Sequence, residues 1–160
     1  MGEVVMKIYI MRHGQAGMNA KTDEQRPLTE QGIEESIHMA RWLAPQLGDK
    51  LDRVIHSNYL RAKQTWQSIC SELPKAGAVE ESGDITPYGD PAFVASYLTA
   101  LAAKHDSILM VSHLPLVGYL VQSLCPAAGA PMFATSGLAC IEWQDGKGVL
   151  LWLEGPHTIR

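Results

Sequence analysis

The chain has 160 residues, 46% of them apolar and 19% charged, with a formal net charge of −4. That length suits one domain with a substantial core, and the composition is that of a soluble globular protein and not of a disordered or collagen-like one. The acidic balance argues against a general nucleic-acid or membrane-surface binder, no apolar run reaches the length of a membrane span, and no secretory signal opens the chain.

Residues 1–5 read as a short extension or an alternative start, because the strand pattern begins near Met6. The run Lys7-Ile8-Tyr9-Ile10-Met11 predicts a strand buried on both faces, and it leads straight into Arg12, His13 and Gly14. Residues 15–25 are polar, contain Asn19 and predict a loop. Thr29 is a good N-cap with Glu30 in the first turn behind it. Ile33, Ile37, Ala40, Ala44 and Leu47 then recur at helical spacing, which predicts a helix over 29–47 that frays at Pro45.

Residues 51–57 predict a second strand. Ser57 or Asn58 can cap the following helix, whose apolar face is Ala62, Thr65, Trp66, Ile69 and Leu73 and whose first turn carries Arg61. Residues 74–78 predict a loop, 79–82 a weak strand, and 86–91 a turn before a helix with Val94, Leu98, Leu101 and Ala102 on one side. Residues 107–112 form the second strongly apolar strand, ending at His113. Leu114-Pro115 opens a helix with Pro in its first turn and Val117, Leu120, Val121 and Leu124 inward. After a loop over 126–131, residues 138–143 and 149–153 predict a hairpin. Strands alternating with crossover-length helices give an α/β class: one three-layer α/β/α domain over 1–160, with a mostly parallel central sheet and a C-terminal antiparallel hairpin.

Several residues have a plain packing reading. Cys70, Cys125 and Cys140 form no Cys-x-x-Cys pair and are expected to be small buried hydrophobes in a reducing compartment, which makes a cytoplasmic location the expectation. Met6, Met11, Met110 and Met132 are expected in the core, the four tryptophans in core and surface packing, and Arg53 and Lys63 in solvent. His38, His105 and His157 read as surface residues, and His56 as a satisfied structural histidine.

The chemistry gathers at the strand ends. A cation and an imidazole at the carboxyl end of a buried strand are costly there without a use, and that edge is where doubly wound sheets bind ligands. His13 and His113 end two strands, and both enter one crevice if those strands are neighbours. Arg12 and Arg61 add planar forks suited to phosphate oxygens, and helix starts near Asn58 and Leu114 would add free N–H groups. The set fits a doubly charged tetrahedral anion, and a neutral imidazole beside it can attack phosphorus.

Arg12-His13-Gly14, the stretch from Leu28-Thr29 to Gly32, Ser57 with Arg61-Ala62 and Gln64-Thr65, and Ser112-His113 resemble the histidine phosphatase (phosphoglycerate-mutase-like) superfamily. Tyr9 to Gly14, Arg26-Pro27-Leu28-Thr29, Thr86 to Asp90 and Ser112 to Leu120 resemble its SixA-type phosphohistidine phosphatases more closely. The likeness runs from about Met6 to the hairpin. It implies that His13 is a nucleophile that becomes transiently phosphorylated. It implies that Arg12, Arg61 and His113 hold the phosphoryl oxygens, with Asn19 and the Leu114 N–H as further contacts. It implies a histidine-phosphorylated protein of phosphotransfer type as substrate, and no cofactor.

The family's usual proton donor, in a Glu-x-x-x-Gly pattern, is missing: counting back from Gly89 reaches Ile85, between Asp84 and Thr86. Asp84 or Asp90 could substitute, so the acid stays unassigned. A metal enzyme is disfavoured, because no His-x-x-x-His or Cys-x-x-Cys appears and two arginines would repel a cation. The rivals are a mutase or small-molecule phosphatase of the same superfamily and a module that binds a phosphoprotein without cleaving it. Those enzymes tend to carry insertions over the site, and this chain has little length to spare, which favours an open site.

Overall fold

The computed structural model describes residues 5–159, so residues 1–4 of the expected extension lie outside the described residues. Ten regular elements follow in order: β1 (Met6–Arg12), α1 (Glu30–Leu47), β2 (Leu51–Ser57), α2 (Leu60–Ile69), β3 (Ala76–Ser82), α3 (Pro91–Ala100), β4 (Ser107–Ser112), α4 (Leu116–Leu124), β5 (Leu138–Gln144) and β6 (Lys147–Glu154). The strands form one six-stranded sheet in the order β3-β2-β4-β1-β5-β6. β1 pairs parallel to β4, and β2 runs parallel to both β3 and β4. β5 runs antiparallel to β1, and β6 antiparallel to β5. This is the predicted α/β class, with the predicted C-terminal antiparallel pair.

The two central strands explain the layers. β1 and β4 are apolar on both faces, and alternate residues go to opposite sides. Ile8, Ile10, Ile108 and Met110 pack with Val94, Leu98, Val117 and Leu120 from α3 and α4. Tyr9, Met11, Leu109 and Val111 pack with Met39, Leu43, Ala62 and Ile69 from α1 and α2. The hairpin turn is set by Asp145 and Gly146, with φ of 53° and 74°, a left-handed pair that matches strand twist.

Some expectations are corrected. Ile33 is exposed, and α1 instead buries Gly32, Ser36, Met39, Ala40, Leu43 and Leu47. The helix runs through Pro45 to Leu47, since a proline in the exposed last turn costs little packing. Thr29 is the N-cap as predicted, its Oγ1 accepting from the Gly32 N–H at 3.0 Å. β3 begins at Ala76, inside the expected loop. Pro115 precedes α4 instead of occupying its first turn, and the Leu114–Pro115 peptide is cis. Met132 is 79% exposed, and Cys70 is exposed while Cys125 and Cys140 are buried. Arg53 is half-buried and 3.0 Å from Glu80. His105 is half-buried as well.

Candidate active site

The register of the two central strands builds the site. Arg12 is paired with Ser112 at the end of the β1–β4 ladder, and the His13 N–H donates to the Ser112 carbonyl at 2.9 Å. The next residue on each strand is a histidine. Their rings lie 5.0 Å apart, and both are buried. Gly14 lets the chain leave this corner: a Cβ there would stand 2.7 Å from both the Gly32 carbonyl oxygen and Ser36 Oγ. The glycine of Arg12-His13-Gly14 is thus demanded by the close approach of α1.

His13 Nδ1 lies 2.7 Å from the Gly14 carbonyl oxygen, which can only accept, so Nδ1 carries the proton. Nε2 then keeps its lone pair, and Arg61 Nε donates to it at 3.2 Å. Arg61 is 4% exposed, held in the first turn of α2. Its other nitrogens donate to the Asp23 carbonyl at 2.7 Å and to Asp23 Oδ2 at 3.2 Å, and its guanidinium lies 5.0 Å from the centre of the Tyr59 ring. Asp23 Oδ1 also accepts from Arg26 at 3.1 Å, so one carboxylate ties two arginines. Arg12 reaches across the edge to donate to the Phe133 carbonyl at 2.9 Å.

α2 also anchors the turn after β1. Thr65 Oγ1 accepts from the Gly14 N–H at 3.0 Å and donates to the Arg61 carbonyl at 2.7 Å. Gln64 Oε1 accepts from the Leu28 N–H at 2.8 Å. Arg61, Gln64 and Thr65 therefore act as one block: the first supplies the cation and the other two fix the loop that carries His13.

Ser57 ends β2 against the second histidine. Its Oγ accepts from the Tyr59 N–H at 3.1 Å and lies 2.8 Å from His113 Nε2. The hydroxyl has one proton and a second lone pair, so the contact can run either way; where Ser57 donates to His113 Nε2, the His113 proton sits on Nδ1. Nδ1 is buried with no hydrogen-bond partner among the described residues, and in that tautomer it is a donor for an oxygen that enters the crevice.

A family model described as histidine phosphatase superfamily (branch 1) matches residues 8–83. The phosphohistidine phosphatase SixA of Escherichia coli (strain K12) is 42% identical over 159 residues, covering 97% of each chain. The chain belongs to the histidine phosphatase superfamily. A SixA homolog of Haemophilus influenzae is 35% identical over 161 residues, covering 96% of this chain and 98% of that one. A solved structure of the protein histidine phosphatase SixA complexed with tungstate superposes with a TM-score of 0.92 at 41% identity, covering 97% of this chain and all of that one.

As a histidine phosphatase of the SixA type, the chain brings together Arg12, His13, Arg61 and His113. Asn19 is different: it is exposed and makes no hydrogen bond among the described residues. Leu114 follows His113 directly and is half-buried. Asp90 caps α3, its Oδ1 accepting from the Ala92 N–H at 3.0 Å, and the Asp84 carboxylate makes no hydrogen bond among the described residues; neither is tied to the histidine–arginine cluster. The helices start at Leu60 and Leu116, two residues beyond each expected start. His56 is buried, with Nδ1 at 3.0 Å from the Ser57 carbonyl, in keeping with its structural reading. Asp23 was not predicted, because a short turn inside a polar loop carries no periodicity.

The electrostatics keep both imidazoles neutral. His13 is pushed down to about 4, first by burial and then by Arg61, Arg12 and Arg26, while its bond to Gly14 works the other way. His113 is pushed down to about 2 by burial first, then by His13 and Arg61. Burial and then Arg61 lower Arg12 below its ordinary value. For Asp23 burial works upward, but the hydrogen bonds and charges of Arg26 and Arg61 hold the carboxyl below its usual range.

An imidazole titration by NMR is therefore expected to find both rings neutral at about pH 5, where an ordinary histidine is mostly charged. The linkage has one sign: the unfolded chain takes up protons on these histidines first, so stability falls as pH drops from about 6.5 towards about 4. Either ring titrating near 6.5 in the folded protein would contradict this assignment.

Proposed function

We propose that the chain is a phosphohistidine phosphatase working through a covalent phosphohistidine intermediate on His13. The observation that carries this reading is the neutral His13, with Nδ1 tied to Gly14 and an Nε2 lone pair facing a guanidinium. That lone pair would attack phosphorus as the bond from phosphorus to the substrate nitrogen breaks. The departing imidazole takes a proton from water or a nearby group and leaves neutral. Water then attacks the phosphoenzyme, His13 leaves with its lone pair restored, and inorganic phosphate is released.

Arg12, Arg61 and the His113 Nδ1–H are assigned to the three phosphoryl oxygens, where fixed donors act on the charge of the transition state. Arg61 can exchange its contacts with His13 and Asp23 for those oxygens. Asn19 and the Leu114 N–H are assigned a secondary part at the rim. A SixA relative has been obtained with tungstate, a tetrahedral oxyanion of phosphate's shape, which supports an anion in such a cradle. The likeness to phosphohistidine phosphatases supports a phosphohistidine-containing protein as substrate, and we assign it to proteins that relay phosphoryl groups through histidine.

The test is phosphate release from a histidine-phosphorylated protein. Wild type is expected to turn it over, and Arg61→Ala, with its circular dichroism unchanged, to lose roughly a hundredfold to a thousandfold in kcat. A loss confined to KM would place Arg61 outside the transition state.

A further inference from the structure

A second concave surface opens beside the catalytic edge, between the end of β3 and the start of α3. Two adjoining hollows of about 210 and 380 Å³ share Asp84 and Phe93. Their walls carry Tyr88, Phe93 and Tyr97, of which Tyr88 is 84% and Phe93 56% exposed. Aromatic faces left in water at a concave site are costly to keep without a partner.

The charges in the groove are one-sided. Glu80 is already matched, by Arg53 at 3.0 Å and by the Tyr97 hydroxyl at 2.8 Å. Asp84 and Asp90 have no cation within ion-pairing distance among the described residues. Two unmatched carboxylates flanked by exposed rings suit a lysine or arginine side chain, held by charge on one side and by π-faces on the other.

The loop that forms the groove starts at the active-site edge of the sheet: Ser82 at the end of β3 is paired with Ser57, whose Oγ lies 2.8 Å from His113 Nε2. The turn Gly83–Ile85 is fastened to the end of β4, where the Ser112 hydroxyl donates to the Ile85 carbonyl at 2.7 Å, one residue before His113. Gly89, at the far side of the loop, backs onto Leu116 at the start of α4. A segment entering the site would meet a cationic floor at Arg12 and Arg61 and an anionic wall at Asp84 and Asp90.

We infer that this groove docks a basic segment of the substrate protein, with a lysine or arginine close to its phosphohistidine. The inference rests on the phosphohistidine reading and adds the chemistry of the partner. The dianion would seat among the arginines while the flanking cation seats between the aspartates and the rings. That bipolar match also fixes the direction in which the segment lies.

The experiment uses three probes: phosphoimidazole, a phosphohistidine peptide of about ten residues with two lysines beside the phosphohistidine, and the same peptide with glutamines instead. The variant is Asp84→Asn/Asp90→Asn, which removes charge and keeps shape, asparagine being as good a helix cap as aspartate. Wild type is expected to favour the lysine peptide by about fivefold to tenfold in kcat/KM, through KM, with the preference shrinking at high salt. The variant is expected to treat the two peptides alike while hydrolysing phosphoimidazole at the wild-type rate.

Equal use of both peptides by wild type, or a preference that survives in the variant, would overturn the groove assignment while leaving the phosphatase reading intact. Loss of phosphoimidazole turnover in the variant would overturn it too, by placing the aspartates in the chemistry. A wild type that hydrolyses none of the three probes would refute the phosphatase reading, and the groove assignment with it.

Discussion

His13→Ala is expected to abolish turnover, with kcat falling by about four orders of magnitude or more, the scale seen when an enzyme loses its nucleophile. The reason is positional. Only His13 combines a lone pair facing a guanidinium at 3.2 Å with a second nitrogen locked to the backbone at 2.7 Å. His113 is not placed to replace it, because its Nε2 is engaged by Ser57 at 2.8 Å and no guanidinium donates to its other nitrogen among the described residues. The same substitution should remove the phosphoenzyme. Labelled phosphate transferred from a phosphoramidate donor and trapped by rapid quench at alkaline pH, where phosphohistidine survives, should be present in wild type and absent from the variant. His113→Ala should differ in kind, slowing phosphoryl transfer but leaving a trappable phosphoenzyme. A His13→Ala protein that still turns over near the wild-type rate would remove His13 from its role.

The contrast between what the sequence disclosed and what it hid has physical causes. β4 occurs at the predicted residues because its apolar run Ile108–Val111 fits a sheet covered on both faces, and β2 does so around Val54 and Ile55. The convergence of His13 and His113 followed once β1 and β4 were neighbours, since equal positions on parallel strands stay together. The buried face of α1 departs from its hydrophobic spacing for a definite reason. Hydrophobic spacing picked Ile33 and Ile37, whereas the helix turns Gly32 and Ser36 inward so that the backbone at Gly14 and Gln15 can come close. Small residues chosen for close approach leave no hydrophobic signal.

Asp23 was hidden for the opposite reason. It belongs to a loop whose shape depends on tertiary contacts, and its value lies in a bond to an arginine thirty-eight positions away. Met132 misled because an apolar side chain in a loop has no period to place it, and it is exposed.

Phosphohistidine on a protein is expected to be cleaved at least a hundredfold faster than phosphoserine on a protein, with activated aryl phosphates between them. This follows from the leaving group. Expelling the alkoxide of a serine or sugar ester is hard without a positioned proton donor, because that group is strongly basic. The sequence lacks the family's Glu-x-x-x-Gly at the expected place, with Ile85 standing there. Ile85 is buried and gives only its carbonyl oxygen, which the Ser112 hydroxyl occupies. Asp84 and Asp90 make no bond to the histidine–arginine cluster, and Asp23 is held ionised by Arg26 and Arg61, so it has no proton to give at neutral pH.

In the proposed mechanism the cluster would supply a nucleophile and charge stabilisation, and no carboxylic acid is poised beside it among the described residues. Phosphohistidine suits that deficit, since its P–N bond is weak and its imidazole leaves neutral after taking one proton from water. Rates across a series of aryl phosphates should then fall steeply as the leaving-group pKa rises, which is the mark of a departing oxygen that receives no proton. A shallow dependence, or phosphoserine cleaved as fast as phosphohistidine, would reveal a proton donor that this arrangement of side chains does not contain.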